Sequence, residues 1–370
     1  MSKKEEYNYL SYGEKCKSSV VKTFINHMMD VNKDSKNPVP LCIWGLAGIG
    51  KTSIVEQIAA EKGYQYQYIA PAQFEEMGDL LGMPYTDKET GVTKFAIPDW
   101  VPQVEGPGIL LIDDVNRADD RILRGIMQLL QNYELISWRL PKGWQIVLTA
   151  NPDGGDYSVT PMDDAMLTRM MHITMEFDVK EWALWAEKNG IDSRGINFIL
   201  KYPEVVKNGN NPRALTHFFK SISNIPDLRE NMVLVNILSK STLDRDAAVQ
   251  FQQFVNDNLV DLINPEDIIS TSKFSEVEAT IKKQSKGTDG VRLDIINIIV
   301  TRVIGYIGAD QNRNFNKKEL DNIINFLRLD FIPKDITFAA AQDIMNLATQ
   351  KKMKSLIQVI EAAGVLDKLL

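Results

Sequence analysis

The stretch GLAGIGKTS, Gly45 to Ser53, constrains this chain more than any other. It satisfies GxxxxGK[ST] where that pattern has physical meaning, with the apolar LCIW before it and the helical SIVEQIAAEKG after it. Glycines let the backbone curl until successive N–H groups point inward, and the start of the following helix adds its positive end. Gly45, Leu46, Ala47, Gly48, Ile49, Gly50, Lys51, Thr52 and Ser53 therefore form a candidate polyphosphate site. In such a loop Lys51 reaches the β and γ phosphates and Thr52 holds Mg²⁺. The alternative is a Gly-rich turn that happens to precede Lys-Thr, and the strand and helix on either side speak against it.

A strand feeding a phosphate loop and a helix is one unit of a larger pattern. Between residues 38 and 177 short apolar runs of β type alternate with helical stretches, as in a parallel sheet covered on both faces. PLCIWG, YQYQYIA, GILLIDD, WQIVLTAN and MHITMEF predict five strands. The expected fold is α/β, a P-loop NTPase αβα sandwich with a parallel five-stranded sheet. Between the third and fourth strands, Ile122, Leu123, Ile126, Leu129 and Leu130 share one helical face. ELISWRLPKG then alternates into a Pro-Lys-Gly turn, which predicts a small β-hairpin.

After residue 178 the β signal nearly vanishes. VKEWALWAEKNG ends at Gly190, a C-cap residue, and NPRALTHFFKSIS starts with Pro212 in a first helical turn. The expected division is an N-terminal helical segment (1–37), an αβα nucleotide-binding core (38–177), an all-α lid (178–263) and a C-terminal helical domain (264–370). Residues 264–290, with Ser, Thr, Lys and a Gly-Thr-Asp-Gly turn, are the expected flexible joint.

Composition excludes several classes. A chain of 370 residues exceeds the ~150 of a typical domain, so more than one module is expected. The net charge of -7 has the wrong sign for coating nucleic acid through bulk electrostatics, so nucleic acid is not an expected partner. MSKKEEYNYL lacks the apolar core of a secretory signal. LDIINIIVTRVIGYIG is broken by Asn297 and Arg302 and falls short of the ~20 residues of a membrane span. A cytoplasmic protein without membrane contact is expected. Cys16 and Cys42, the only cysteines, form neither a CxxC pair nor a metal quartet and read as structural.

A phosphate loop needs a carboxylate from a neighbouring strand, and GILLIDDVNRADD, residues 108 to 120, offers two. Asp113 directly follows the apolar run and is placed to hold Mg²⁺ through water; Asp114 is placed to orient or deprotonate an attacking water. Capping the next helix suits Asp119 or Asp120 better, since these adjoin RILRGIMQLL. Asn151, ending the apolar run of IVLTANP, could fix that water against the γ phosphate; otherwise it is a turn residue of NPDGG.

In this order the motifs resemble an AAA+ ATPase, and more narrowly its MoxR-like, dynein-related branch, over residues 38 to about 260. GLAGIGKTS corresponds to Walker A and ILLIDDVNRA to Walker B, with the Asn-Arg-Ala tail typical of that branch. RLPKGWQIVLTANP corresponds to sensor 1, DDAMLTRMMHI to the arginine-finger segment and NPRALTHF to sensor 2. FEEMGDLLGMPY followed by FAIPDWVP is similar to the Asp-Leu-x-Gly-x-Pro element of the core. The resemblance implies that Arg169 is the arginine finger, stabilising charge in an adjacent subunit's site, a contribution of ~10³ or more in rate. It implies that Arg213 is sensor 2, acting on the phosphates of its own subunit. The catalytic set is then Asp114, Asn151, Arg169 and Arg213, with Thr52 and Asp113 on the metal.

The resemblance further implies ATP and Mg²⁺ as cofactors, a homo-oligomeric ring, commonly a hexamer, and chaperone-like remodelling of a partner protein. A von Willebrand factor A domain protein is the partner that the family suggests. ELISWRL is similar to the pre-sensor 1 insertion and residues 78–100 to an insertion facing a central pore. Trp138 and Trp100 would then face substrate, although burial is the commoner fate of a Trp. His27, His172 and His217 share no ligand spacing and read as structural.

Two positions depart from the family pattern. Asp113-Asp114 stands where Asp-Glu is usual, shortening the base by about 1.5 Å, and a displacement near 1 Å can cost ~100-fold in rate. Arg169-Met170 replaces Arg-Phe, a milder change because Met fills the same apolar gap. The alternatives are a nucleotide-gated scaffold that hydrolyses ATP poorly, a nucleic-acid motor or loader, and a monomeric P-loop protein in which Arg169 has no catalytic task.

Overall fold

The computed structural model describes residues 12–33, 35, 38–152, 158–206, 210–257, 261–287, 290–309 and 313–365. The chain divides into two units, Met1–Phe177 and Asp178–Leu370. The first runs β1 (Lys15–Cys16), α1 (Ser18–Asn32), β2 (Leu41–Trp44), α2 (Lys51–Lys62), β3 (Gln65–Ile69), α3 (Met77–Leu81), β4 (Met83–Thr86) and β5 (Thr93–Ala96). It continues through β6 (Gly108–Ile112), α4 (Asp120–Asn132), β7 (Trp144–Ala150), α5 (Asp164–Leu167) and β8 (Met171–Met175).

Every residue of β2, β6 and β7 is buried, which is why β2 and β6 read as unbroken apolar runs and β7 as one interrupted only by Gln145 and Thr149. Alternate residues serve opposite faces. Leu110, Ile112, Ile146 and Leu148 pack with the apolar face of α4, while Ile109, Leu111 and Val147 pack with α1 and α2. The sheet order is β1-β8-β2-β7-β6-β3, all parallel.

All five predicted strands form, and a sixth joins them. β1 lies in the segment expected to be helical and pairs with β8 through Lys15↔Thr174 and Cys16↔Met175. Two residues carry no periodicity to read, whereas α1 after them does. Gly13 allows this approach: at φ 84°, a Cβ there would lie 2.1 Å from the His172 carbonyl oxygen.

The hairpin expected in ELISWRL shrinks to a single antiparallel bridge, Glu134↔Arg139. The antiparallel ribbon of this unit is instead β4 with β5. Trp138 does not face substrate: it is buried, donates its indole N–H to Leu80 O at 3.0 Å, and meets Trp100 edge-on at 5.2 Å. Trp100, half-buried, donates to Asp79 O at 3.0 Å. Both indoles thus join α3 to the turn before β7, and Ile136, 73% exposed, takes the outward position.

The second unit is helical: α6 (Val179–Lys188), α7 (Ser193–Lys201), α8 (Pro212–Ile222), α9 (Met232–Thr242), α10 (Arg245–Asn256) and α11 (Pro265–Ser270). α12 (Phe274–Gln284), α13 (Leu293–Ala309), α14 (Lys317–Leu327), α15 (Lys334–Gln350) and α16 (Lys354–Ala362) complete it. Phe198 on α7 sits among Phe219 of α8 and Phe251 and Phe254 of α10, with ring centroids 5.0 to 6.5 Å apart. These are the edge-to-face separations aromatic pairs prefer. The apolar α13 packs on α6 and α15, and its buried Arg302 is neutralised by Glu187 at 2.6 Å. No helix among the described residues is long and apolar enough to cross a membrane.

Residues 264–290, expected to be a joint, hold α11 and α12 instead. Ile268, Ile269, Val277 and Ile281 are buried, so the Ser, Thr and Lys between them describe solvent faces of helices. Residues 288 and 289 of the Gly-Thr-Asp-Gly turn lie outside the described residues.

Gly13→Ala should detach β1 from β8. The left-handed backbone alone costs about 1–2 kcal/mol, and the clash adds to that. Chemical denaturation followed by tryptophan fluorescence should show an earlier midpoint; an unchanged one contradicts the placement of β1.

Candidate functional site

The site grows from the loop between β2 and α2. Gly45, Gly48 and Gly50 take φ values of 153°, 78° and 102°, where a side chain is strained. At Gly45 none would fit, since a Cβ would stand 2.6 Å from Ile49 Cδ1 and 2.7 Å from the Met175 carbonyl oxygen. Gly50 is the N-cap of α2, and no side chain caps the helix. Its first-turn N–H groups therefore offer an anion the positive end of a helix.

Lys51 opens α2 yet is only 5% exposed. Its ammonium donates to Gly45 O at 2.7 Å, Leu46 O at 3.1 Å and Asn151 Oδ1 at 3.0 Å. A buried charge needs such partners, and two of these are carbonyls of the loop itself. All three are neutral acceptors, so an anionic phosphate oxygen is a stronger competitor for the same donors.

Thr52 Oγ1 donates to Asp113 Oδ1 at 2.7 Å. Asp113 follows β6, and its N–H continues the ladder to Ile69 O at 2.8 Å. Its carboxylate also accepts Thr149 Oγ1 on Oδ1 at 2.6 Å and Tyr68 OH on Oδ2 at 3.2 Å. Asp114 lies at φ 47°, ψ 46°, a left-handed region that Asp enters more readily than most residues. Its N–H donates to Thr149 Oγ1 at 2.8 Å. Its carboxylate accepts Asn151 Nδ2 on Oδ1 at 2.9 Å and pairs with Arg117 Nε on Oδ2 at 3.2 Å.

Asn151, fully buried just past β7, thus stands between Lys51 and Asp114, with its amide oxygen on the ammonium and its amide nitrogen on the carboxylate. Only that orientation of the amide satisfies both charges. Asn116 holds it from behind: Asn116 Nδ2 donates to Asn151 O at 2.8 Å, and Asn151 N–H donates to Asn116 Oδ1 at 3.1 Å. Asn116 comes from the 3-10 turn Val115–Arg117 that follows Asp114, so one short turn supplies partners to both Asn151 and Asp114.

The structure therefore brings together Lys51, Thr52, Asp113, Asp114 and Asn151. Arg169, half-buried after α5, is engaged elsewhere, with Nε and Nη2 on Gln131 Oε1 at 3.2 and 3.1 Å and Nη1 on Ala165 O. Met170 is buried, filling an apolar gap. Arg213 belongs to the second unit, exposed in the first turn of α8, which Asn211 caps at 3.0 Å. His172 is structural: Nδ1 accepts Trp44 Nε1 at 3.0 Å and Nε2 lies 2.8 Å from Leu167 O. Burial pushes the Cys42 thiol far up, which makes it inert.

Among the described residues no group of three or more His, Cys, Asp or Glu could hold a metal. A cation beside Thr52 and Asp113 must draw its other ligands from phosphate and water, a ligand set that suits Mg²⁺. The sequence reading overlooks Thr149 and Tyr68, and takes Asn116 and Arg117 only as a motif tail. Thr149 did leave a signal, a hydroxyl inside the buried run IVLTA, where it must find a partner. Tyr68 left none, since the alternation of YQYQY does not say which hydroxyl meets Asp113.

Residues 40–170 match the family model described as the AAA domain (dynein-related subfamily). An ATP-dependent protease ATP-binding subunit-like protein of Rhodococcus erythropolis is 32% identical over 115 residues, 29% of this chain and 32% of the relative. A replication factor C large subunit of Ignicoccus hospitalis is 24% identical over 188 residues, 49% of this chain and 34% of the relative. The chain spans about a third of the length of these curated relatives. A variant of Thermotoga maritima RuvB matches with a TM-score of 0.39 and 14% identity, over 72% of this chain and 74% of that one.

Replacing Asn116 with Leu leaves the Asn151 N–H and C=O buried without partners, at about 1–3 kcal/mol for each unpaired group. Asn116→Leu should lower the free energy of unfolding by at least about 2 kcal/mol on that basis. A denaturation midpoint equal to the wild type's contradicts the role given to Asn116.

Proposed function

We propose that the AAA domain formed by residues 40–170 makes this chain an ATP hydrolase working with Mg²⁺, of the MoxR-like branch. The observation that carries this reading is the connection from Lys51 through Asn151 to Asp114, beside the Thr52 contact with Asp113. It joins a phosphate-binding ammonium, a water-orienting amide and a base in one run, in which Lys51 and Asn151 are buried and Asp114 is half-buried.

In this reading nucleotide lies on Gly45 to Ser53, and Lys51 exchanges the loop carbonyls for the β and γ phosphates. Thr52 and Asp113 are the side chains placed to hold Mg²⁺, which when bound spreads the charge of those phosphates. Asn151, released by Lys51, orients a water at the γ phosphate. Asp114 takes a proton from that water as the new oxygen–phosphorus bond forms and the β–γ bridging oxygen leaves with ADP. Arg169 acts across a subunit interface of a ring, a hexamer in the family's usual form, and Arg213 acts from the chain's own lid. Supporting this, Arg169 stands apart from the run of Lys51, Asn151 and Asp114, its half-buried guanidinium held by Gln131 and Ala165 rather than by a residue of that site.

The work done is remodelling or activation of a partner protein, with a von Willebrand factor A domain protein as the family's usual partner. The division into 1–37, 38–177, 178–263 and 264–370 belongs to the same proposal. The protease-subunit relative fits protein remodelling and the replication factor fits nucleic-acid loading. The net charge of -7 favours the former.

A second reading, a hydrolysis-weak scaffold gated by nucleotide, is favoured by one observation: both oxygens of Asp114 are already engaged, by Asn151 and Arg117. Multiple-turnover phosphate release decides between the two. The wild type should exceed Lys51→Ala by at least about tenfold, given the charge that Lys51 neutralises. An idle wild type that Asp114→Glu revives would establish the scaffold instead. Mixing Arg169→Ala with Lys51→Ala subunits should recover part of the lost turnover, because intact fingers then meet intact loops; no recovery at any ratio contradicts action across an interface.

A further inference from the structure

We infer that Thr149 and Tyr68 are positioning residues that grip the metal-side carboxylate of Asp113 from the two strands flanking it, one hydroxyl on each carboxylate oxygen. The inference rests on the ATP and Mg²⁺ reading above and deepens it.

Three hydroxyls converge on this carboxylate, those of Thr52, Thr149 and Tyr68. They differ in origin. Thr52 belongs to the loop and helix that receive phosphate, and its oxygen is itself a candidate metal ligand. Thr149 and Tyr68 belong to β7 and β3, the immediate neighbours of β6. The pairing Ile112↔Leu148 sets Thr149 directly beside Asp113, and Tyr68↔Leu111 sets Tyr68 two residues short of it on the other side. Parallel register thus delivers the two hydroxyls to opposite sides of one carboxylate. They remain available to hold it when Thr52 turns to a cation.

Thr149 does more than donate. It is fully buried, and its oxygen also accepts the N–H of Asp114. One atom therefore fixes both the orientation of the Asp113 carboxylate and the left-handed turn that aims Asp114. Without these hydroxyls the terminal torsion of Asp113 is broad and two-fold, with no preferred setting toward a cation. Partners that orient a metal-bound carboxylate are worth about 10- to 100-fold in metal affinity.

The test uses the full chain and a fluorescent ADP analogue, titrated first in EDTA and then with increasing Mg²⁺. Thr149→Val keeps shape and removes the hydroxyl, Thr149→Ser restores it, and Tyr68→Phe removes the other. Affinity in EDTA should stay within about twofold of the wild type, while the Mg²⁺ needed for half-maximal effect rises about 10- to 100-fold in Thr149→Val. Thr149→Ser should return to the wild-type value, which a merely space-filling role would not require. Should Thr149→Val not fold, Tyr68→Phe, on a partly exposed side chain, decides alone with a rise of at least about threefold. A wild type that responds to Mg²⁺ and variants that respond identically overturn this inference and leave the function standing. A wild type that binds the analogue without any response to Mg²⁺ overturns both.

Discussion

A buried ammonium, that of Lys51, is the constraint around which the first unit is arranged. Placed at the start of α2 and almost out of solvent, it must be surrounded by acceptors. The loop supplies two by curling its carbonyls back, which it can do because Gly45, Gly48 and Gly50 adopt positive φ. The third, Asn151, has to be delivered from β7 at the right height. That delivery depends on Asn116, whose side chain pairs with the backbone of Asn151 much as a further strand would. Sheet register, a 3-10 turn and a glycine loop are thus all tied to one charge.

The same connection determines how Asp114 is held. Arg117 also reaches Asp114, but both side chains are substantially exposed, and such ion pairs are worth about 0–1 kcal/mol. The hydrogen bond from buried Asn151 to the carboxylate belongs to a class worth about 1.5–3 kcal/mol. Asn151 therefore sets the orientation, and Arg117 trims it. A left-handed backbone with a short side chain brings the Asp114 oxygen to Asn151. In the function proposed here, the residue that orients water is the one that already binds both the phosphate lysine and the base.

Much of this was legible in the sequence where residue type and period agree. β2, β6 and the middle of β7 appear as apolar runs because both faces are covered, and α4 appears as a face of Ile122, Ile126 and Leu129. The loop, Asp113, Asp114 and Asn151 stood out as polar groups at the ends of such runs. What escaped was set by pairing across the sheet. β1 is two residues long and is placed by Gly13 against β8 rather than by any pattern of its own. Thr149 and Tyr68 acquire their roles from register, which a single sequence does not display. Composition misled at residues 264–290, where polar residues cover the outer faces of two helices whose isoleucines are buried.

The claim on which everything else turns is that Lys51 holds its loop together only until phosphate replaces the carbonyls. Calorimetric titration of ATP with Mg²⁺ into the wild type and into Lys51→Ala tests it directly, with circular dichroism confirming that both are folded. Losing a hydrogen bond to a charged group, about 1.5–3 kcal/mol, predicts an affinity at least about tenfold weaker for the variant. Equal affinities would contradict the account.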